Sequence, residues 1–170
     1  MNTLIDFDDG LIKIYNMEES MLKAQVKPLV QFYEEVINQG RLEVLDEIYA
    51  ENYVNHIAPH GLNSGAAGVK KLIAAQKKAF PDWHITVDYW IQQGNKNIVK
   101  WTLEGTHTGE YCGIPPSGKH FKITGVDIET IVDGKITEHD GAEDMLSLLQ
   151  QIGAVKEFLI LEDPKFDKKR

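Results

Sequence analysis

The chain is poor in cysteine, with Cys112 alone among 170 residues. One thiol cannot close an intrachain disulfide or build a cysteine-based zinc site, so the count gives no argument for secretion. Positive charge is also in deficit. Eighteen Lys and Arg stand against 26 Asp and Glu, a formal net charge of −8, and that field repels nucleic-acid phosphates and anionic lipid. No apolar run approaches the ~18 residues of a membrane span. The start, MNTLIDFDDG, carries acids where a secretory leader needs positive charge. The expectation is a soluble, cytoplasmic protein whose partners include no nucleic acid and no membrane. What is present is ordinary for one globular domain: 42% apolar and 26% charged residues, at a length near the ~150 residues of a typical domain.

Residues 1–20 read as an N-terminal extension in which Asp9-Gly10 can turn a short hairpin. From Met21 the apolar period is three to four: Leu22, Val26, Leu29, Val30, Tyr33, Val36 and Ile37 form one stripe, and Gly40 can end the helix. A shorter helix carries Leu42, Leu45, Ile48 and Tyr49, and 52–56 reads as an irregular exit toward the interior. A third helix spans roughly 66–79, with Val69, Leu72 and Ile73 inward and its lysines solvated, and Pro81 lies just past its end. The period then drops to two. Trp83, Ile85, Val87, Tyr89 and Ile91 alternate with polar residues, as do Val99, Trp101 and Leu103. A loop containing Pro115-Pro116 leads to a strand over 120–132, Asp133-Gly134 turns into another from Lys135, and Leu148, Leu149 and Ile152 close the domain with a helix. The order is that of an α+β domain, helices first and an antiparallel meander after. Residues 156–170 read as a solvated tail of mixed charge.

The run WTLEGTHTGEYCGI at 101–114, PPSGK at 115–119, Asp133-Gly134-Lys135-Ile136 with Glu138-His139, and LLQQIG at 148–153 resemble the SnoaL-like polyketide cyclases, also called ester cyclases. These fall in the wider group similar to nuclear transport factor 2 and ketosteroid isomerase. VQFYEEVINQG and AFPDWHITV add to the likeness, which covers about residues 26–153 within a domain placed at 21–155. It implies an NTF2-like cone, a curved and mostly antiparallel sheet wrapped around N-terminal helices. It further implies a homodimer formed through that sheet and a pocket with no cofactor and no metal. The implied reaction is an intramolecular aldol ring closure on a carbonyl-bearing small molecule, with an aspartate as acid and base.

Such chemistry needs a carboxyl or imidazole whose pKa an apolar pocket can move toward neutrality. Asp144 follows the Glu-His pair where the resemblance places an acid, although an acid at a helix start is also explained by capping. Asp140 stands where relatives often carry an aromatic, and is either a replacement acid or solvated. His107 continues the odd-numbered face of Val99, Trp101 and Leu103, and so points to the apolar side or is a histidine held by a loop backbone. These three are the catalytic candidates. Tyr53, His56, Trp101, Asp127 and His139 are candidates for binding substrate. Asp127 and Glu129 lie where the strand phase breaks, with Gly125 a natural bulge, so their side stays open. His139 opposes Ile136 by alternation and needs a further irregularity to reach a pocket. His56 and His60 lack the third ligand of a zinc site, and Pro59 forbids a regular helix there. Two other functions fit the same shape: a noncatalytic small-ligand-binding domain, and a partner-binding scaffold with a filled cone.

Overall fold

The computed structural model describes residues 3–8, 11–14 and 19–156, with side chains from Gln25 onward. The Asp9-Gly10 turn and the expected tail at 157–170 lie outside the described residues. Strands β1 (Thr3–Asp8) and β2 (Leu11–Ile14) pair antiparallel. Helix α1 (Glu19–Val30) contains Pro28 and continues through Asn38 in wider π-type turns. Proline removes a helical donor, and helices commonly adjust their winding around such a gap. A 3-10 turn (Leu42–Val44) and α2 (Leu45–Ile48) follow, then β3 (Tyr49–Asn55), α3 (Ala66–Ala79), β4 (His84–Gln93), β5 (Lys96–Thr106), β6 (His120–Val132), β7 (Lys135–Glu143) and α4 (Met145–Gln151).

The strands form one sheet in the order β2-β1-β4-β5-β6-β7-β3. All pairs are antiparallel except β3 with β7, which run parallel. The stretch expected as an irregular exit after the second helix is therefore a strand. It escaped alternation because its pairing to β7 slips between Tyr49 and Val54. Helix α3 falls where the apolar period placed it.

Helices pack on one face of the curved sheet. Leu29, Phe32, Tyr33 and Val36 meet Ile85, Trp101, Phe121 and Ile136 in a single core, and each such buried side chain contributes roughly 1.5–3 kcal/mol of transfer free energy. The opposite face is partly apolar. A register slip in β4 between Val87 and Tyr89 turns Trp90 inward and leaves Tyr89 and Ile91 outside, correcting the simple alternation expected there. Ile91, Ile98 and Ile128 are register partners across three strands and all remain exposed. On the side of β4 away from β5, where no described strand pairs with Ile85, the Asn38 carboxamide bonds both sides of that residue: its Oδ1 accepts from the Ile85 N–H at 2.8 Å and its Nδ2 donates to the Ile85 carbonyl at 3.1 Å.

Candidate active site

Adjacent strands β6 and β7 supply the ionisable groups. On β6 the odd-numbered residues Phe121, Ile123, Gly125, Asp127, Glu129 and Ile131 are all buried, and pairing with β5 runs in unbroken register from Thr106↔His120 to Lys96↔Thr130. The bulge expected at Gly125 is absent. Gly125 instead lies opposite Trp101, where a Cβ would fall 2.1 Å from the indole ring. Its missing side chain is the space the indole fills, and the regular phase sends Asp127 and Glu129 inward.

The irregularity is on β7. Ile131 pairs Ile136, yet Thr130 pairs Glu138, so Thr137 is the extra residue of a bulge. That single insertion puts His139 on the same side as Ile136, the further irregularity its pocket role required. Glu129 and His139 are thereby direct cross-strand neighbours, with Oε1 2.7 Å from Nδ1. Asp127 Oδ2 accepts a hydrogen bond from the Tyr33 hydroxyl at 2.8 Å. Tyr49 and Tyr53 stack at 3.8 Å beside the carboxylates. Glu129 is 1% exposed, and its Oε2 has no hydrogen-bond partner among the described residues.

Burial pushes the carboxyls of Asp127 and Glu129 above their usual range, while the charge of His139 pulls both back. The Tyr33 hydroxyl also lowers Asp127. The Trp101 indole acts on Asp127 in the same direction, although its N–H reaches hydrogen-bond geometry with no described group. For His139, burial alone lowers the pKa. The charge and hydrogen bond of Glu129, then the charges of Asp127 and Asp140, outweigh burial and hold the imidazole up at about 9. Glu143 is raised by burial and by the charge of Asp127.

Asp127, His139 and Glu143 face an apolar cavity of about 600 Å³ between α3, β3 and the sheet, lined also by Tyr53, Asn55 and Trp101. Four of the expected binding residues, Tyr53, Trp101, Asp127 and His139, thus converge. The fifth does not: His56 is exposed, off the cavity wall, with its Nε2 3.9 Å from Glu138. His60 is exposed yet reaches the rim, as does Cys112. A second cavity of about 530 Å³ lies between α1 and β4, lined by Val26, Leu29, Val87, Trp90 and others, and Tyr33 forms part of its wall.

The three expected catalytic residues lie elsewhere. Asp144 caps α4, its Oδ1 accepting from the Ser147 N–H at 3.0 Å. Asp140 is exposed and bonds the neighbouring Gly141 N–H. His107 does point to the apolar side and is fully buried, but beyond the cavity: its Nδ1 meets Ser117 Oγ at 3.1 Å and its ring packs against Phe80. The acid that does line the cavity next to Asp144 is Glu143, one residue earlier. Among the described residues, Asp127, Glu129 and His139 are also the one group whose donor atoms lie close enough to share a cation, although His139 Nδ1 is already engaged by Glu129.

The SnoaL-like polyketide cyclase family model matches residues 27–152. The chain belongs to the SnoaL-like polyketide cyclases. It is 28% identical over 118 residues to a nogalonic acid methyl ester cyclase of Streptomyces nogalater, covering 68% of this chain and 88% of that one. To an aklanonic acid methyl ester cyclase of Streptomyces peucetius it is 29% identical over 154 residues, covering 90% and 92%. The solved structure of TsrD from Streptomyces laurentii superposes with a TM-score of 0.68 at 25% identity, covering 82% of this chain and all of that one. The NTF2-like cone of this SnoaL-like chain thus has solved counterparts. Among its described residues no helix is long and apolar enough to cross a membrane.

Proposed function

We propose that this SnoaL-like chain is an enzyme that closes a carbocycle by intramolecular aldol addition in a neutral, polyketide-like ester, its acid/base steps carried by its own side chains. The observation that carries the reading is the convergence of Asp127 and His139 on one apolar cavity. Asp127 removes a proton from a carbon flanked by carbonyls. The enolate carbon attacks a second carbonyl carbon of the same molecule, forming the C–C bond and sending the carbonyl π pair onto oxygen. That oxygen accepts a hydrogen bond from His139 and takes back the proton held by Asp127. No atom is gained or lost, so substrate and product are isomers. A carboxylate pushed up by burial is a stronger base than one in water, which suits it to this step. Three carboxyl groups, Asp127, Glu129 and Glu143, surround one imidazole, an acid-rich setting that fits a neutral ester better than a free acid, as in the names of the two relatives.

The test is incubation with aklanonic and nogalonic acid methyl esters, followed by chromatography with mass detection. A product of unchanged mass and new retention is expected, and Asp127→Asn should slow its formation by about 10²–10⁴-fold. Binding of either ester, seen as a raised melting temperature, without turnover would instead favour the noncatalytic reading. A scaffold function requires a filled cone, and the open cavity weighs against it. The expected homodimer is proposed on the outer sheet face, supported by the exposed row Ile91, Ile98 and Ile128. Ile98→Asp should then yield a monomer by sedimentation, while an unchanged mass would remove that face as the interface.

A further inference from the structure

Glu129 has no place in the ring-closing steps above, yet it is the most deeply buried acid of the cluster and the direct cross-strand neighbour of His139. Its Oε1 is turned to Nδ1 at 2.7 Å. With Nδ1 held there, Nε2 is the ring nitrogen left without a hydrogen-bond partner among the described residues, on a side chain that lines the cavity. We infer that Glu129 is a positioning residue: it fixes the His139 ring with Nε2–H presented to the cavity, so that His139 serves as a cationic hydrogen-bond donor and Asp127 is left as the base. The inference rests on the proposed function for its catalytic meaning, but the state it assigns to His139 belongs to the free protein.

Three features of the page support it. The Thr137 bulge serves to bring the ring beside Glu129, since without it His139 would face outward. A carboxylate on Nδ1 is the usual device for fixing an imidazole tautomer, because it accepts from Nδ1–H and favours charge on the ring. The acids that act on the cluster leave that charge in place, Asp127 from β6 and Asp140 and Glu143 from β7, and the phenols of Tyr33, Tyr49 and Tyr53 are held neutral. Two acids and one imidazole thus divide into a base and a donor according to which acid touches the ring.

The test is a ¹⁵N and ¹³C NMR titration of the imidazoles in the whole protein without substrate. One of the six histidines should stay doubly protonated to about pH 9, and that signal should vanish in His139→Gln. In Glu129→Gln, which keeps an acceptor but removes the charge, the His139 midpoint should fall by at least one pH unit while Nδ1–H remains. A midpoint that does not move, or a wild-type ring carrying its proton on Nε2 alone at pH 7, overturns the inference. If Glu129→Gln fails to fold, the wild-type titration still decides. With an active ester in hand, Glu129→Gln should lower kcat more than it raises KM and shift the alkaline limb of kcat/KM downward. A purely structural residue would lower melting temperature without moving that limb. The expected NMR result with no turnover of any ester would count against the ring-closing reading alone. Turnover with an ordinary His139 titration would count against Glu129 alone.

Discussion

His107 and His139 are both withdrawn from water, and only one of them meets a carboxylate. His107 closes β5, its Nδ1 against Ser117 Oγ and its ring among Phe80 and neighbours, where it ties down the loop from 107 to 119. His139 faces Glu129 across the β6–β7 pair and borders the cavity. Burial by itself disfavours a charged imidazole, and a neighbouring anion reverses that preference. The partner of a buried histidine, more than its depth, decides between anchoring and chemistry.

Removing the two rings should give different signatures. His139→Gln should slow ring closure by roughly 10²-fold and, by leaving Glu129 buried without its cationic partner, should also lower the melting temperature, with turnover per folded molecule and calorimetry measured on one sample. His107→Ala should lower stability alone. Removing a fully buried ring and stranding the Ser117 N–H should cost about 2–3 kcal/mol in denaturant unfolding, with turnover per folded molecule kept within a few-fold. If His107→Ala lost turnover as His139→Gln does, the division between the two rings would be wrong.

A subtler separation uses pH. The folded-state pKa of His139 lies above its ordinary 6.5, so its contribution to stability is complete below that value and is lost as pH rises through about 9. Melting temperature should fall across that window in the wild type and in His107→Ala, and fall less in His139→Gln. The smallest effect concerns the expected acid at the start of α4. Asp144→Ala should remove a cap of about 1 kcal/mol and leave turnover unchanged, whereas a large loss of turnover would restore Asp144 as a catalytic candidate.

What the sequence disclosed follows from how hydrophobicity marks the interior. The third helix and the inward face of β5, with Val99, Trp101 and Leu103, were legible because apolar residues sit where the core is. β6 misled for the opposite reason. Its interior positions near the site are Asp127 and Glu129, and its outward positions are Val126 and Ile128, so the apolar pattern inverts where two carboxyl groups are held by His139 and Tyr33. The strand kept its phase and only its chemistry changed. The Thr137 bulge in β7 and the slips in β3 and β4 leave no turn residue to announce them, since backbone pairing with a distant strand creates them. Tyr53, Trp101, Asp127 and His139, expected from residue type, line the cavity, while Glu143, a second acid on its wall, was passed over for Asp144 one position later.

The Asn38 carboxamide at the border of β4 has a consequence for behaviour in concentrated solution. By engaging both the N–H and the carbonyl of Ile85, one side chain acts as a surrogate strand one residue long, denying a stray extended chain a place to add itself. Loss of that amide would open this border of the sheet to pairing with another chain.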